Sequence, residues 1–153
     1  MLRHGLLADP GAVETFKRCT LDFRERETHA ESFALHRDLL RIRREEMGFG
    51  TPNYDGIDGA VLSASAFMLR FFTPDHRDDR VLVVNLDGDL ERASFAEPLL
   101  APPPGTDWRL RWSSDDMAYG GQGVAELFPD ERWHIPAESA VLLTPGPRRP
   151  RRT

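Results

Sequence analysis

From about Asp58 to Leu143, the sequence consists of short segments with strand-like patterns, separated by turn residues. Some segments alternate apolar with polar residues and others are short apolar runs, and both patterns are typical of strands. The segments are residues 60–63, 66–72, 80–86, 108–113, 132–135 and 139–143. The first two are close enough to form a hairpin. Together the six predict a mainly β fold, in the form of an antiparallel β-sandwich.

The segment 108–113 predicts which large side chains enter the core. Trp108, Leu110 and Trp112 alternate with two arginines, so we expect the three apolar residues on one buried face. Trp133 is expected in the core as well. Burial of each such side chain contributes about 1.5–3 kcal/mol, which a small sandwich needs.

The strongest helical pattern precedes the strands. Thr28 and Glu31 form a T-x-x-E capping box, which predicts a helix start near Thr28, and Asp22 with Glu25 offers an earlier start of the same kind. Gly48 and Gly50 end the helix. On a helical wheel, the apolar residues occupy about half of the circumference, which is wide for a helix that lies on a single surface. We therefore predict that this helix contacts two bodies, not one.

One flank of the apolar sector is the candidate interface with a partner, and it consists of Phe33, His36, Leu40, Arg43 and Met47. His36 and Arg43 are polar groups inside this apolar sector. Burial of an arginine is costly without an anionic or carbonyl partner. We therefore expect a carboxylate that faces Arg43.

These patterns divide the chain into four parts. Residues 1–20 are predicted to be an irregular lead-in with a short helical turn at Val13–Arg18, and residues 21–50 are a helical segment. Residues 51–146 are the predicted β-sandwich. Residues 147–153 are expected to be a disordered basic tail.

The composition excludes several classes of protein. The formal net charge of −5 argues against nucleic-acid binding, which needs a cationic face. No apolar run is long enough to span a membrane, and residues 1–7 lack the apolar region of a signal peptide. Cys19 is the single cysteine, and the histidines show no spacing typical of a metal site. We therefore expect a cytoplasmic protein without cofactor or metal.

Two features superficially resemble functional motifs. Asp78 and Asp79 are adjacent carboxylates, as are Asp115 and Asp116. Neighbours in a strand or turn point apart, which favours turn or surface roles over acid–base catalysis. Asp115 is a candidate acceptor of hydrogen bonds from the turn leading into Tyr119, which would be a structural role. The glycine-rich residues 119–123 lack the features of a phosphate-binding loop, so we expect a tight loop there.

The sequence WSSDDMAYGGQG at residues 112–123, followed by WHIPAESAVLL at residues 133–143, resembles the C-terminal β-domain of malto-oligosyltrehalose trehalohydrolases. These enzymes belong to the α-amylase superfamily (glycoside hydrolase family 13). Residues 29–44, which include HRDLL, resemble the last helix of their catalytic (β/α)₈ barrel. The resemblance implies a Greek-key-like C-terminal β-sandwich preceded by that helix. It also implies that the barrel, with the carboxylates of its retaining glycoside hydrolysis, lies upstream of Met1, so this chain has no catalytic residue.

The function implied by the resemblance is that of a non-catalytic domain that braces the barrel of an enzyme releasing trehalose from maltooligosyltrehalose. The helix face that would meet the barrel is then expected to be exposed or to mediate self-association. The alternative is a stand-alone α-glucan-binding module, which predicts exposed, coplanar aromatic side chains, with Trp133 and Tyr119 as candidates for sugar contact. A third hypothesis, a hydrolase in its own right, needs two carboxylates at catalytic separation in a cleft.

Overall fold

The computed structural model describes residues 9–46 and 56–148. It contains two compact units, residues 1–30 and residues 31–153. In the first unit, α1 spans Val13–Arg18 and α2 spans Glu25–Thr28. Helix α1 coincides with the helical turn that the sequence predicts in the lead-in.

Helix α3 spans Ala30–Glu45 and begins two residues later than predicted. The predicted capping box is wrong, because Thr28 is the last residue of α2 and its hydroxyl donates to the carbonyl oxygen of Arg24. His29 has non-helical backbone angles and separates α2 from α3. The described part of the helical segment is therefore two helices. Its predicted end at Gly48 and Gly50 lies outside the described residues.

The second unit contains the strands. They are β1 (Ile57–Val61), β2 (Ala66–Phe71), β3 (Arg80–Asn85), β4 (Leu90–Arg92), β5 (Thr106–Ser113), β6 (Trp133–Ile135) and β7 (Ser139–Pro147). Strand β4 was not predicted, because it is too short to show a period. Strand β7 includes Pro147, the first residue of the predicted tail, and residues 149–153 lie outside the described part of the chain.

All strand pairs are antiparallel. Five strands form one sheet in the order β1-β2-β3-β7-β5, and β4 pairs with β6 in a second, two-stranded sheet. Leu90 and Ile135 of the small sheet join Met68, Val83 and Val141 of the large sheet in one buried cluster. The predicted fold class is confirmed: the protein is mainly β, with two antiparallel sheets that follow a helical region.

The strand register assigns side chains of the large sheet to two faces. Val81 and Val83 pair with Leu143 and Val141 on the side that carries the buried cluster, and we call this side the core face. Because side chains alternate along a strand, Leu82 and its partner in β7 lie on the opposite side. We call that side the helix face, since α3 contacts it.

Trp112 does not lie on the predicted face. Strand β5 has an irregularity between Leu110 and Trp112, so that these two residues pair with adjacent residues of β7. The additional residue, Arg111, shifts the alternation by one position. Trp108 and Leu110 therefore point to the core face, where Trp108 is 3% exposed, whereas Trp112 points to the helix face.

A buried ion pair connects β2 to two loops. Arg70 donates from Nε to Oδ2 of Asp79 at 3.0 Å, and its Nη1 donates to the carbonyl oxygens of Leu99 and Ala101 at 2.9 and 2.7 Å. The other oxygen of Asp79 accepts the backbone N–H of Thr73 at 2.8 Å. Asp79 is fully buried, and these bonds compensate the cost of removing its charge from water.

Candidate functional site on helix α3

Helix α3 meets the β-domain through one narrow stripe. Ile42 and Glu46 are buried, and Ala34, Leu35 and Asp38 are half-buried. Asp38, Ile42 and Glu46 are four residues apart, so they lie one above another on the same side of the helix. We call this side the inner face of α3.

Glu46, which follows the last residue of α3, is bound by two arginines of the sheet. Its Oε2 accepts from Nε of Arg80 at 2.5 Å, and its Oε1 accepts from Nε of Arg111 at 2.8 Å. Arg80 also donates to Oδ1 of Asp78 at 2.7 Å. Burial would raise the pKa of Glu46, but the hydrogen bonds from Arg111 and Arg80 outweigh it and hold this pKa below its usual value. The ionised Glu46 thus fixes the end of α3 to β3 and β5.

Tyr119 holds the middle of the inner face. Its hydroxyl donates to Oδ2 of Asp38 at 2.9 Å and accepts from the indole Nε1 of Trp112 at 3.2 Å. The hydrogen bond from Tyr119 is the main cause of the lowered pKa of Asp38. Burial, and then the bond to Asp38, raises the pKa of Tyr119. The stable pair is therefore a neutral phenol with an ionised carboxylate.

Tyr119 reaches α3 because residues 113–123 form a closed loop. Oδ1 of Asp115 accepts the N–H of Gln122 at 2.9 Å, and the carbonyl oxygen of Asp115 accepts the N–H of Gly123 at 2.8 Å. These bonds join the two ends of the loop across the intervening turn. The predicted tight loop is confirmed, and Asp115 has a structural role. The turn leading into Tyr119, however, is bound by Asp116 and not by Asp115 as predicted, because Oδ1 of Asp116 accepts the N–H of Ala118 at 2.9 Å.

Two glycines of this loop lie where a side chain does not fit. A Cβ on Gly121 would lie 2.3 Å from the carbonyl carbon and oxygen of Asp115. Gly120 has a φ of +82°, which favours glycine, and a Cβ there would meet the carboxylate of Glu31 in α3 at 3.1 Å. The loop therefore approaches the helix at Glu31 as well as at Asp38.

The residues Asp38, Glu46, Arg80, Arg111 and Tyr119 form what we call the helix clamp. We expect the clamp to weaken at both ends of the pH range. The pKa values of Asp38 and Glu46 are lowered by folding, so their contribution is present above about pH 4.5 and is lost as the pH falls through the folded-state values. The pKa of Tyr119 is raised, so its contribution is present below about pH 10 and is lost as the pH rises through the folded-state value.

Urea unfolding between about pH 7 and pH 11.5 measures the loss of stability at high pH. The chain has one lysine and two tyrosines, and arginines keep their charge, so few other groups titrate in this range. Tyr119→Phe is the matched control. It should be less stable than the wild type by about 1–3 kcal/mol at pH 7, and its stability should change less above pH 10. If the wild type and Tyr119→Phe lost the same amount of stability at high pH, this role for Tyr119 would be contradicted.

The opposite side of α3 is exposed. Leu40 is 55% exposed and Phe33 is 43% exposed, and His36 and Arg43 are exposed as well. We call these four residues the outer face; Met47, the fifth residue of the predicted interface, lies outside the described residues. Nδ1 of His36 lies 2.7 Å from a carbonyl oxygen of its own helix. Within residues 9–46 and 56–148, no carboxylate pairs with Arg43, so the expected partner is not supplied by this part of the chain.

Asp38 and Glu46 are interface residues that the sequence pattern did not predict. The available signal was their four-residue spacing from Ile42, which places them on the side of the helix that carries this buried side chain. Their partners could not be found in the same way. Tyr119 is 81 positions from Asp38, and Arg111 is 65 positions from Glu46.

The two candidates for sugar contact lie on opposite sides of the large sheet. Trp133 packs edge-to-face against Phe95 and Phe128, with ring centroids 5.7 and 4.8 Å apart, at the margin of the buried cluster. Tyr119 lies on the helix face, and its hydroxyl is bonded to protein groups. The two rings therefore do not form the coplanar platform that the glucan-binding alternative predicts.

Asp78 and Asp79 point apart, as predicted, but the predicted turn or surface role is wrong for Asp79, which is fully buried. Asp79 binds Arg70 in the core, whereas Asp78 is exposed and binds Arg80. Among the residues that the structure describes, no group of three or more His, Cys, Asp or Glu side chains is placed to hold a metal ion. None of the described helices combines the length and the apolar character that crossing a bilayer requires.

The unit that these residues build is an antiparallel β-domain clamped to one helix. A family model described as "Domain of unknown function (DUF3459)" matches residues 55–142. The match covers more than half of the chain, so the chain belongs to this family, which is found at the C-terminus of α-amylase-family enzymes. Comparisons with curated proteins and with solved structures gave no match. The predicted resemblance to a C-terminal domain of α-amylase-family enzymes is thereby confirmed.

Proposed function

We propose that this chain is the non-catalytic C-terminal region of a cytoplasmic malto-oligosyltrehalose trehalohydrolase-like enzyme, and that it braces the catalytic barrel through α3. The barrel would carry the carboxylates that cleave the α-1,4 bond next to the terminal trehalose unit. In this proposal the chain contributes no group to the reaction. It holds one helix of the barrel in a fixed position.

The observation that carries the proposal is the two-sided character of α3. Its inner face is clamped to the β-domain through Asp38 and Glu46, while Leu40 on its outer face is 55% exposed. A large apolar side chain contributes about 1.5–3 kcal/mol when it is buried, so an exposed leucine on this side of the helix favours a further partner.

The position of α3 in the chain supports the barrel as that partner. The family match begins at residue 55, so α3 precedes the C-terminal domain. In an α-amylase-family enzyme, the part that precedes this domain is the catalytic part. The outer face also contains Arg43, which lacks a carboxylate partner within the described residues. We therefore propose that the barrel surface facing α3 is apolar and carries a carboxylate or carbonyl group opposite Arg43.

A mixing experiment tests the proposal. This chain is combined with a recombinant trehalohydrolase barrel that ends near position 20 of this numbering, and complex size and trehalose release from maltooligosyltrehalose are measured. We expect a one-to-one complex with restored activity. Leu40→Glu should weaken the complex at least about tenfold, because it places a charge in an apolar contact.

Leu86→Glu is the matched control. Leu86 is 66% exposed and lies outside α3, so its replacement should leave the complex unchanged. Both variants should unfold within about 0.5 kcal/mol of the wild type, because both leucines are exposed. A wild-type chain that neither binds nor activates the barrel would overturn the proposal. In that case, retention on an amylopectin resin that is lost in Trp133→Ala would favour the glucan-binding alternative.

A further inference from the structure

Strand β1 (Ile57–Val61) is an edge of the five-stranded sheet and is less protected than the opposite edge. Strand β5, at the other edge, carries Arg109 and Arg111 and is interrupted by the irregularity after Leu110. Charged residues and bulges of this kind prevent unwanted pairing of edge strands. Strand β1 contains no Lys, Arg or Pro, and Asp58 is its one charged residue. All five of its residues pair with β2 in unbroken register.

Backbone bonds at both ends of the hairpin show which groups of β1 point away from the sheet. The N–H of Phe72 donates to the carbonyl of Gly56, and the N–H of Leu62 donates to the carbonyl of Ala66. Hydrogen-bonded and non-bonded pairs alternate along an antiparallel ladder. Asp58 and Ala60 therefore bond to β2, and the N–H and C=O groups of the odd-numbered residues of β1 point outward.

The same odd-numbered residues form an apolar row. Ile57 is 48% exposed and Val61 is 79% exposed, and Gly59 lies between them. One outward donor is already occupied, because the N–H of Gly59 donates to Oδ1 of Asp58 at 2.7 Å. The other outward groups of β1 remain suited to pair with a strand that presents apolar side chains on the same face.

We propose that β1 pairs with β1 of a second copy of this chain, in antiparallel orientation about Gly59. The strand is self-complementary in this arrangement once the two Gly59 N–H groups, which meet at the two-fold axis, exchange their bonds to Oδ1 of Asp58 for bonds across the contact. Ile57 faces Val61 of the second copy on the helix face, and Asp58 faces Ala60 of the second copy on the core face, so like charges are not directly opposed. A two-fold contact of this kind is closed and gives a dimer instead of a filament.

The contact uses residues other than the outer face of α3, so it stands independently of the proposed function. It extends the large sheet across the dimer axis, with the apolar row of each copy against the other. A single pair of short strands buries less surface than a standard interface, and we therefore expect a dimer that dissociates on dilution.

Sedimentation equilibrium of the full chain over a wide concentration range tests the proposal. We expect a monomer–dimer equilibrium that Val61→Lys weakens at least about tenfold, because the lysine adds a charge to each side of the strand pair. Val124→Lys is the matched control: Val124 is also an exposed valine, outside the strands, and the change adds the same charge. Hydrogen exchange of the Ile57 and Val61 amides should slow at concentrations where the dimer forms.

Three results would overturn the proposal. One is a monomer at every concentration. Another is a dimer that Val61→Lys and Val124→Lys affect equally. The third is a dimer that Leu40→Glu dissociates while the β1 amides exchange at an unchanged rate, which would assign self-association to the outer face of α3. None of these three results determines the outcome of the barrel-mixing experiment, which tests the proposed function separately.

Discussion

Replacement of Glu46 by leucine is expected to lower the free energy of unfolding by about 3–5 kcal/mol. Glu46 is buried between Arg80 and Arg111, and Arg80 is itself only 8% exposed. Leucine fills much of the space but leaves Arg80 buried, and among the described residues its one remaining ionic partner is then the exposed Asp78. Urea unfolding at neutral pH and low salt measures the loss.

Glu45→Leu is the matched control, since Glu45 is the neighbouring residue and is exposed. It should change stability by less than about 0.5 kcal/mol. The double variant Glu46→Leu with Arg80→Met should recover part of the loss, because it removes both charges together. If Glu46→Leu alone were as stable as the wild type, Glu46 would not anchor the end of α3.

Gly121→Ala is expected to destabilise the protein by about 3 kcal/mol or more. The new Cβ would lie 2.3 Å from the carbonyl group of Asp115, and backbone atoms at that distance must move apart. That movement would break the bonds from Gln122 and Gly123 to Asp115, and would withdraw Tyr119 from Asp38. Thermal unfolding measures the loss, and a tyrosinate titration measures the release of Tyr119.

Gly88→Ala is the matched control for this change. A Cβ on Gly88 would have no atom within 4 Å, so the substitution should be close to neutral. In Gly121→Ala, the pKa of Tyr119 should return towards its usual value as the phenol leaves the carboxylate. A Gly121→Ala protein that unfolds like Gly88→Ala would show that the loop does not depend on this close approach.

Glu46→Leu and Gly121→Ala both act on the attachment of α3, although neither residue lies on the outer face. If the chain braces a barrel through α3, both should also weaken the barrel complex, because a detached helix presents its outer face in many orientations and binding must then restrict them. A clamp made of charged and hydrogen-bonded groups also fixes the position of α3 along the sheet. Asp38 and Glu46 must each meet their own partners at the same time.

Several features of the fold follow from the sequence. The period-two pattern and the turn residues predicted six of the seven described strands, since a strand that is buried on one side must alternate. The block at residues 112–123 pointed to an α-amylase-family C-terminal domain, and the family match at residues 55–142 agrees. The wide apolar sector of α3 predicted contacts with two bodies, and the described residues show one of them, the β-domain.

Other features depended on contacts between residues that are distant in the sequence. The face of Trp112 was predicted wrongly because the irregularity after Leu110 appears only when β5 is aligned with β7. Arg37 and Arg41, which also pair with Asp38, are its neighbours in α3. Tyr119 and the two arginines that bind Glu46 lie more than 30 positions away from their partners, and local spacing carries no information about them. Short-range patterns determined the elements and their apolar sides. The tertiary structure alone decided which polar groups meet, because a buried charge is stable only where the folded chain brings its partner.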